Sequence, residues 1–262
     1  MNKDRDKVLR YYKASGDELL AARLFDLAEE AAGSRKYRVS GFLDPYGATV
    51  AETVVVHFPG TRLDFDGGFA VAERAKAAFI AEDYQGKVIY DISALQVVWD
   101  KRFYTLAHRD VLGALLGLGC EREVLGDIVF NETGAQFVAN TAVTGFLTSN
   151  LTHIGPATVS VSSIPLTTLA QKEERIKEIR ATVAALRLDA VSAAGYGVSR
   201  SHMAEEIKAQ RVKINWKEAK NAAQSVKAGD VISFRGRGRV EVSEINGLTK
   251  KGRTSIILHR YY

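Results

Sequence analysis

The chain has 262 residues, of which 46% are hydrophobic and 26% charged, a composition typical of a soluble globular protein with two or three domains. It contains no apolar run long enough to cross a bilayer, and its charged first residues, MNKDRDKVLRYY, do not resemble a signal peptide, so we expect a cytoplasmic protein. Cys120 is the single cysteine, which excludes an intrachain disulfide and a zinc site built from several cysteines.

Charge is distributed unevenly along the chain. Residues 171–262 carry 19 lysines and arginines against 10 acidic residues, a net charge of +9. Residues 1–170 carry 17 against 21, a net charge of −4. A basic face can be merely solvated, but charge this segregated favours a nucleic-acid-binding module in the last third of the chain.

Residues 1–82 predict an N-terminal α+β domain. Apolar residues recur at helical spacing over residues 3–32, with an interruption at residues 14–16. Asp44-Pro45 predicts the start of a further short helix, because Asp is a favoured cap and proline suits the first helical position. Three valines followed by His57 and Phe58 predict a strand over residues 54–58.

Residues 83–166 predict a central domain with the element order βαββαβ. Its predicted elements are a bulged or interrupted strand over 88–98, a helix over 108–118, strands over 124–130 and 135–139, a helix over 141–152 and a strand over 158–161. This ferredoxin-like order is also that of RNA-recognition domains, although many unrelated activities share it. The aromatic row that binds RNA in such domains is missing, since only Tyr90 and Phe137 could contribute and Phe137 is expected in the core. A charged connection, predicted to be partly helical, follows at residues 166–178.

Residues 180–262 predict a third domain, which makes the whole chain α+β. Its first part combines a short helix that ends at Gly195, a second helix capped by Ser199 and a strand at residues 212–214. Further strands are predicted at residues 231–234, 240–245 and 255–259.

His108, Arg109 and Asp110 place a base, a phosphate-binding cation and an acid side by side. Adjacent residues of a helix do not face one another, and the helix dipole favours Asp in a first turn, so a structural role is the stronger interpretation. The other four histidines are scattered singly and predict no metal site. The chain has no phosphate-binding loop and no dinucleotide fingerprint, so we expect no cofactor and no catalytic residue.

Arg187-Leu188-Asp189 resembles the triplet that supplies the catalytic aspartate in one class of RNA pseudouridine synthases. Ala185-Leu186 precedes it here where those enzymes carry glycine, and the rest of their active-site pattern is absent. Asp189 is therefore interpreted as a helix cap, and Arg187 as either its partner or an RNA contact.

The C-terminal third resembles an S4-type RNA-binding domain, the small module named after a small-subunit ribosomal protein. The resemblance rests on RLD at 187–189, SRS at 199–201, Ile207, VKIN at 212–215 and GD at 229–230.

The resemblance extends along most of the chain to the YlmH family, which consists of bacterial S4-domain proteins encoded near cell-division genes. It rests on FLDP at 42–45, GG with AER at 67–74, HRDVLGALLGLG at 108–119 and GDI at 126–128. This resemblance implies an N-terminal domain, a central domain of RNA-recognition-like topology and a C-terminal S4 module. It also implies a non-enzymatic protein of the large ribosomal subunit, which engages obstructed subunits carrying peptidyl-tRNA during ribosome-associated quality control.

The expected function is therefore non-catalytic binding of RNA. Ser199, Arg200 and Ser201 would place a helix N-terminus and hydroxyls against phosphates, and the Arg-Gly alternation at 235–239 predicts a flexible loop that brings three guanidiniums to RNA. The expected partners are large-subunit ribosomal RNA and tRNA, with ribosomal proteins as further candidates and no metal, membrane or small-molecule substrate. The predicted RNA-binding residues are Arg187, Ser199, Arg200, Ser201, His202, Lys208, Arg211, Lys213, Asn215, Lys217, Arg235, Arg237 and Arg239.

Two alternatives stay open. An RNA-modifying enzyme could use the S4 module only for docking, with residues 1–165 catalytic, and this requires polar groups that converge around His108. A cell-division-associated adaptor, suggested only by the family context, would bind protein instead of RNA.

Gln210 and Trp216 depart from the S4 pattern, in which glycine is common at both positions. A side chain other than glycine in the left-handed conformation costs roughly 1 kcal/mol. The shape of the loop over residues 210–216 is therefore not predicted.

Overall fold

The computed structural model describes residues 3–13, 15–170 and 176–261. The chain divides into two compact units, Met1–Lys172 and Glu173–Tyr262. Within the described residues, the first unit has two hydrophobic cores and the second has one. The division into three domains stays a prediction. Ala14, in the predicted helix interruption, and residues 171–175, in the predicted charged connection, lie outside the described residues.

The N-terminal part of the first unit packs helices against a three-stranded antiparallel sheet of order β1-β3-β2. Its elements in chain order are α1 (Lys3–Lys13), α2 (Glu18–Ser34), β1 (Tyr37–Leu43), α3 (Pro45–Val55), β2 (Thr61–Asp66) and β3 (Ala75–Ala81). Leu24 and Phe25 of α2, Val50 of α3 and Phe79 of β3 join one buried core. The helix predicted over residues 3–32 is thus confirmed as two helices separated near the expected interruption.

The start of α3 is confirmed and its end corrects a prediction. Asp44 caps the helix, since its carboxylate accepts a backbone N–H of the first turn at 2.9 Å. The strand predicted at residues 54–58 is wrong, because α3 continues through Val55. Val50 and Val54 lie one helical turn apart and are fully buried, and this burial outweighs the strand preference of β-branched residues.

The central part of the first unit forms a four-stranded antiparallel sheet of order β5-β6-β4-β9. Its elements are β4 (Ile92–Val98), α4 (His108–Gly117), β5 (Leu125–Phe130), β6 (Gly134–Asn140), α5 (Thr144–Asn150), β7 (His153–Ile154), β8 (Ala157–Thr158) and β9 (Ser160–Ile164). Val111 of α4 and Leu147 of α5 pack with Leu95 and Phe137 on one face of the sheet. The predicted βαββαβ order and the core position of Phe137 are confirmed, and the small β7–β8 hairpin is an addition that was not predicted.

The opposite face of this sheet is closed by other parts of the same unit. Ala94 and Val138, which alternate with core-facing residues, are each 1% exposed. Gly126 lies so close to Phe42 of β1 that an added Cβ would come within 3.0 Å of the Phe42 ring. An aromatic side chain has no room on this part of the sheet.

Gln136 binds the segment that covers a further part of this face of the central sheet. Its side chain donates to the carbonyl of Thr168 at 3.4 Å and accepts the backbone N–H of Ala170 at 2.6 Å. RNA-recognition domains stack bases on the sheet face that lies away from the helices. Here that face is covered, which gives a physical reason for the missing aromatic row.

Arg74 joins the N-terminal and central parts of the first unit. Its guanidinium donates to the carbonyl oxygens of Phe42 at 2.7 Å, Arg122 at 3.0 Å and Leu125 at 3.0 Å. The carboxylate of Asp127 accepts the backbone N–H of Arg74 at 3.3 Å. Burial lowers the pKa of Arg74, while nearby carboxylates oppose that shift.

Replacing Arg74 by Ala should lower the free energy of unfolding of the first unit by about 2–4 kcal/mol, because three carbonyl oxygens lose a charged donor. Denaturant unfolding of the full chain with Trp216→Phe measures this, since Trp99 is then the remaining tryptophan and lies in the core of that unit. Arg109→Ala is the control, because Arg109 is 87% exposed and should contribute less than about 0.5 kcal/mol. An unchanged midpoint for Arg74→Ala would contradict the proposed anchoring.

The second unit packs two short helices on one face of a six-stranded sheet of order β10-β15-β14-β13-β11-β12. Leu188, Val191, Met203 and Ile207 of the helices share a core with Val240 and other inward residues of the sheet. Its elements are β10 (Ile176–Val183), α6 (Leu188–Tyr196), α7 (Arg200–Lys208), β11 (Val212–Ile214), β12 (Lys217–Glu218), β13 (Val231–Phe234), β14 (Gly238–Leu248) and β15 (Thr254–Tyr261).

The predicted end of α6 at Gly195 is wrong. The helix continues through Tyr196, and Gly197 takes the left-handed conformation (φ 67°) that ends it. A Cβ added to Gly195 would lie 2.7 Å from a methyl carbon of Val240. Gly195 therefore permits close packing of the helix on the sheet, and the chain reverses two residues later.

Candidate RNA interface

The turn between α6 and α7 leaves the start of α7 at the surface. Ser199 caps α7 as predicted, since its Oγ accepts the backbone N–H of His202 at 3.1 Å. The same Oγ lies 3.1 Å from the hydroxyl of Ser201. Arg200 and Ser201 thus occupy the first two positions of a helix whose dipole attracts anions to this end.

Asp189 holds two arginines beside this helix end. Its carboxylate accepts hydrogen bonds from Nε of Arg187 at 3.2 Å and Nη2 of Arg187 at 2.9 Å, and lies 3.1 Å from Nη2 of Arg200. Burial opposes ionisation of Asp189, but the two guanidiniums outweigh it and hold the pKa of the carboxyl below its ordinary value. The Asp189 side chain is 6% exposed, whereas those of Arg187 and Arg200 are 40% and 52% exposed. We call these three residues the Asp189 clamp.

The predicted capping role of Asp189 is wrong. The first backbone N–H groups of α6 donate to carbonyls of the loop before β13, from Leu188 to Gln224 at 2.8 Å and from Asp189 to Ala222 at 3.0 Å. The carboxylate is instead occupied by the two arginines. Of the two roles predicted for Arg187, the partnership with Asp189 is confirmed.

Arg211 and the turn between β13 and β14 form a second cationic group. The carbonyl of Arg211 accepts the backbone N–H of Arg235 at 2.9 Å, which brings the two residues together. The guanidinium of Arg211 lies 3.2 Å from a carboxylate oxygen of Glu206, and Nε2 of His202 lies 3.9 Å from the other oxygen. Arg235 and Arg237 are exposed. We call Arg211, Arg235 and Arg237 the hairpin-end group.

The flexible loop predicted at residues 235–239 is a tight hairpin turn. Phe234 pairs with Gly238 across the ladder, so three residues make the connection. Gly238 has φ 80°, and a Cβ there would lie 2.5 Å from the carbonyl oxygen of Tyr261. Arg239 belongs to β14, with its guanidinium 5.4 Å from the centre of the Tyr261 ring.

The predicted RNA-binding residues do not all lie on one side of the sheet. Val212 and Ile214 are buried under the helices, so Lys213 between them points to the opposite face. Arg239 precedes the buried Val240 and points to that opposite face as well. The Asp189 clamp and the start of α7 therefore form a surface distinct from the one that Lys213 and Arg239 share.

Besides Lys213 and Arg239, three further predicted residues lie outside both cationic groups and the start of α7. Lys208 is exposed in the last turn of α7, and Lys217 is half-buried in β12. The amide of Asn215 is engaged in the fold, since it donates to Asp230 at 2.9 Å and accepts the N–H of Val231 at 2.9 Å. Asn215 thus stabilises the turn that follows β11.

The segments on either side of β11 carry the strain suspected from the sequence. Gln210 (φ 57°) and Trp216 (φ 64°) are left-handed, as is Asn215 (φ 49°). Each such residue other than glycine costs roughly 1 kcal/mol or more. The S4 loop therefore keeps the backbone shape that glycine would adopt freely.

Gln210→Gly should stabilise the second unit by about 0.5–1 kcal/mol, because glycine relieves the left-handed strain but adds freedom to the unfolded chain. Native-state hydrogen exchange of amides in α7 and β13 measures the opening of this unit. Ala209→Gly is the matched control, since Ala209 has φ −78° and should lose roughly 0.5–1 kcal/mol. Equal losses for both variants would contradict strain at Gln210.

His108, Arg109 and Asp110 form the surface start of α4, where Nε of Arg109 lies 3.6 Å from a carboxylate oxygen of Asp110. His108 is the exposed first residue of α4, and the carboxylate of Asp110 turns back to accept the backbone N–H of Ala107 at 2.8 Å. The three residues form a helix start on the surface, as the dipole argument predicted. Among the described residues, no group of three or more His, Cys, Asp or Glu side chains could hold a metal ion.

Two family models match the chain. The one described as "Putative RNA-binding domain in YlmH" matches residues 87–168, and the S4 domain matches residues 186–232. The ribosome-associated protein quality control protein P2 of Bacillus subtilis is 33% identical over 226 residues, which cover 86% of this chain and 88% of that protein. The chain belongs to the YlmH family.

The fold agrees with a solved YlmH-family structure. The cell division protein YlmH from Streptococcus pneumoniae matches with a TM-score of 0.50 and 22% identity, over 59% of this chain and 95% of that one. The α+β fold with a C-terminal S4 module is confirmed. Within the described ranges, this YlmH-family chain has no helix of the length and hydrophobicity that a bilayer span requires.

Proposed function

We propose that this YlmH-family chain is a non-catalytic RNA-binding protein of the large ribosomal subunit, active in ribosome-associated quality control of stalled nascent chains. Its ligands would be ribosomal RNA, peptidyl-tRNA or both, in the cytoplasm. The name of the Bacillus subtilis relative supports the ribosomal role. The observation that carries RNA binding is the Asp189 clamp, which presents two arginines beside the N-terminus of α7.

The chemistry of the second unit fits a phosphate backbone. Residues 171–262 have a net charge of +9, and arginine can bind phosphate through two parallel N–H groups. The Asp189 clamp and the hairpin-end group each carry exposed guanidiniums. In each group, a backbone hydrogen bond holds one of its residues in place, from Asp189 to Ala222 and from Arg235 to Arg211. Phosphate contacts of this kind supply most of the affinity that does not depend on sequence.

The other two roles receive less support. An RNA-modifying enzyme needs convergent polar groups, whereas the carboxylate of Asp110 is committed to the start of α4. The cell-division name belongs to the streptococcal protein. At 22% identity, the similarity to that protein supports the fold and not a shared role. RNA binding through the second unit is the function that the geometry favours.

Arg200→Ala combined with Arg211→Ala should weaken binding to purified bacterial large ribosomal subunits by about tenfold or more. The slope of log affinity against log salt should also fall by roughly 1.5, since each lost phosphate contact lowers it by roughly 0.7–0.9. Co-sedimentation across a KCl series measures both quantities.

The matched control is Arg102→Ala with Arg180→Ala. Both arginines are ion-paired and largely exposed, at 82% and 79%, and neither belongs to the Asp189 clamp or the hairpin-end group, so the control loses the same charge at other residues. Equal weakening by the two double variants would show that only net charge matters. Failure of the unmodified chain to bind the subunits would refute the proposed function.

A further inference from the structure

We infer that Asp189 is a positioning residue for RNA, whose buried carboxylate aims the guanidiniums of Arg187 and Arg200 at one backbone phosphate beside the N-terminus of α7. This inference rests on the proposed RNA-binding function and deepens it. It gives an acidic residue a part in binding a polyanion, which charge alone would not suggest.

The carboxylate brings two like charges together. One oxygen, Oδ2, lies 2.9 Å from Nη2 of Arg187 and 3.1 Å from Nη2 of Arg200. Two guanidiniums that contact the same oxygen atom repel each other unless an anion lies between them. Asp189 supplies that anion from below the surface, so both arginines stay at one place in the absence of RNA.

Each arginine keeps donors for a ligand. A guanidinium has five N–H groups, and Arg187 directs its Nε and Nη2 groups to Asp189 while Arg200 directs its Nη2 group there. Their side chains remain 40% and 52% exposed, so the other donors are accessible. The hydroxyls of Ser199 and Ser201 stand at the same helix end. A phosphate that bridges the arginines would also meet the positive end of the α7 dipole.

The backbone beneath the clamp is buried and hydrogen-bonded. The backbone N–H of Asp189 donates to the carbonyl of Ala222 at 3.0 Å, and Leu188 beside it is fully buried. Arg187 precedes α6 and Arg200 begins α7, so the clamp joins the starts of two helices. Arginines held in this way lose less side-chain freedom when they bind a ligand.

If Asp189 acted only through its charge, removing it would change RNA affinity in the direction opposite to the one that a positioning role predicts. Removing an acid from a phosphate-binding surface raises the net charge by one, which should strengthen RNA binding. Removing the residue that aims two arginines should weaken it, because the guanidiniums then separate and adopt many orientations. The sign of the effect of Asp189→Asn distinguishes the two roles.

The test measures binding of the full chain to purified large-subunit ribosomal RNA by filter retention over a KCl series. Asp189→Asn should bind about tenfold more weakly, with a salt slope lower by roughly 0.7–1.8. Glu178→Gln is the matched control, since it also removes a carboxylate paired with an arginine of the same unit, and it should bind as tightly as the unmodified chain or more tightly.

A role through the arginines has a second signature. In a chain that already carries Arg187→Ala and Arg200→Ala, adding Asp189→Asn should leave RNA affinity unchanged or raise it slightly, whereas a general structural role would cause the same loss in both backgrounds. Arg187→Lys keeps the charge but not the two-point contact with Asp189, and it should also weaken binding severalfold. If hydrogen exchange shows that Asp189→Asn loosens α6 or α7, the RNA affinity of the Arg187→Lys variant distinguishes positioning of the arginines from damage to the fold.

The inference is overturned if Asp189→Asn binds RNA as well as or better than the unmodified chain while α6 and α7 stay protected. It is also overturned if Arg187→Lys binds normally, or if Asp189→Asn causes a further loss without the two arginines. Those results would leave the proposed function intact. Absence of RNA binding by the unmodified chain would refute both.

Discussion

A carboxylate removed from water must find cations or N–H donors, since an unpaired buried charge is among the most unfavourable features that a fold can contain. Asp189 meets this demand with Arg187 and Arg200, which flank the starts of α6 and α7. These three charged side chains therefore link the start of α6 to the start of α7. They also place two guanidiniums beside the capped end of α7. In the second unit, the arginines that satisfy the buried acid are also those of the surface that we propose for phosphate binding.

Local chemistry was sufficient to predict much of the fold. Asp44 and Ser199 cap helices where the sequence placed them, because a side-chain oxygen before a helical run satisfies an N–H of the first turn whatever lies nearby. The order βαββαβ followed from periodicity in the same way. The errors occurred where packing decides. Glycine is common just after a helix end, yet Gly195 lies inside α6. The absence of a Cβ there lets the helix pack closely against Val240 of the sheet.

The candidate site shows the same limit. The sequence identified the cationic residues, but the side of the sheet that each one faces depends on which neighbours are buried, as the alternation around Lys213 shows. Asn215 was grouped with RNA contacts because of its place in the S4 pattern, although its amide is engaged with Asp230. The sequence predicts a cap at Asp189 and misses its second partner, since Arg200 is eleven positions away along the chain and only the fold brings the two together.

Burial also explains how the two units differ. The central sheet has the topology of an RNA-recognition domain, yet Phe42 and the contacts of Gln136 close the face on which such domains stack bases. Once that face is packed, apolar residues such as Val138 stabilise it and aromatic residues would have no room. Residues 1–170 also carry a net charge of −4, which repels a phosphate backbone. In this chain the RNA-recognition topology belongs to the first unit, whereas the net positive charge lies in the second unit, where a buried acid holds two arginines at the surface.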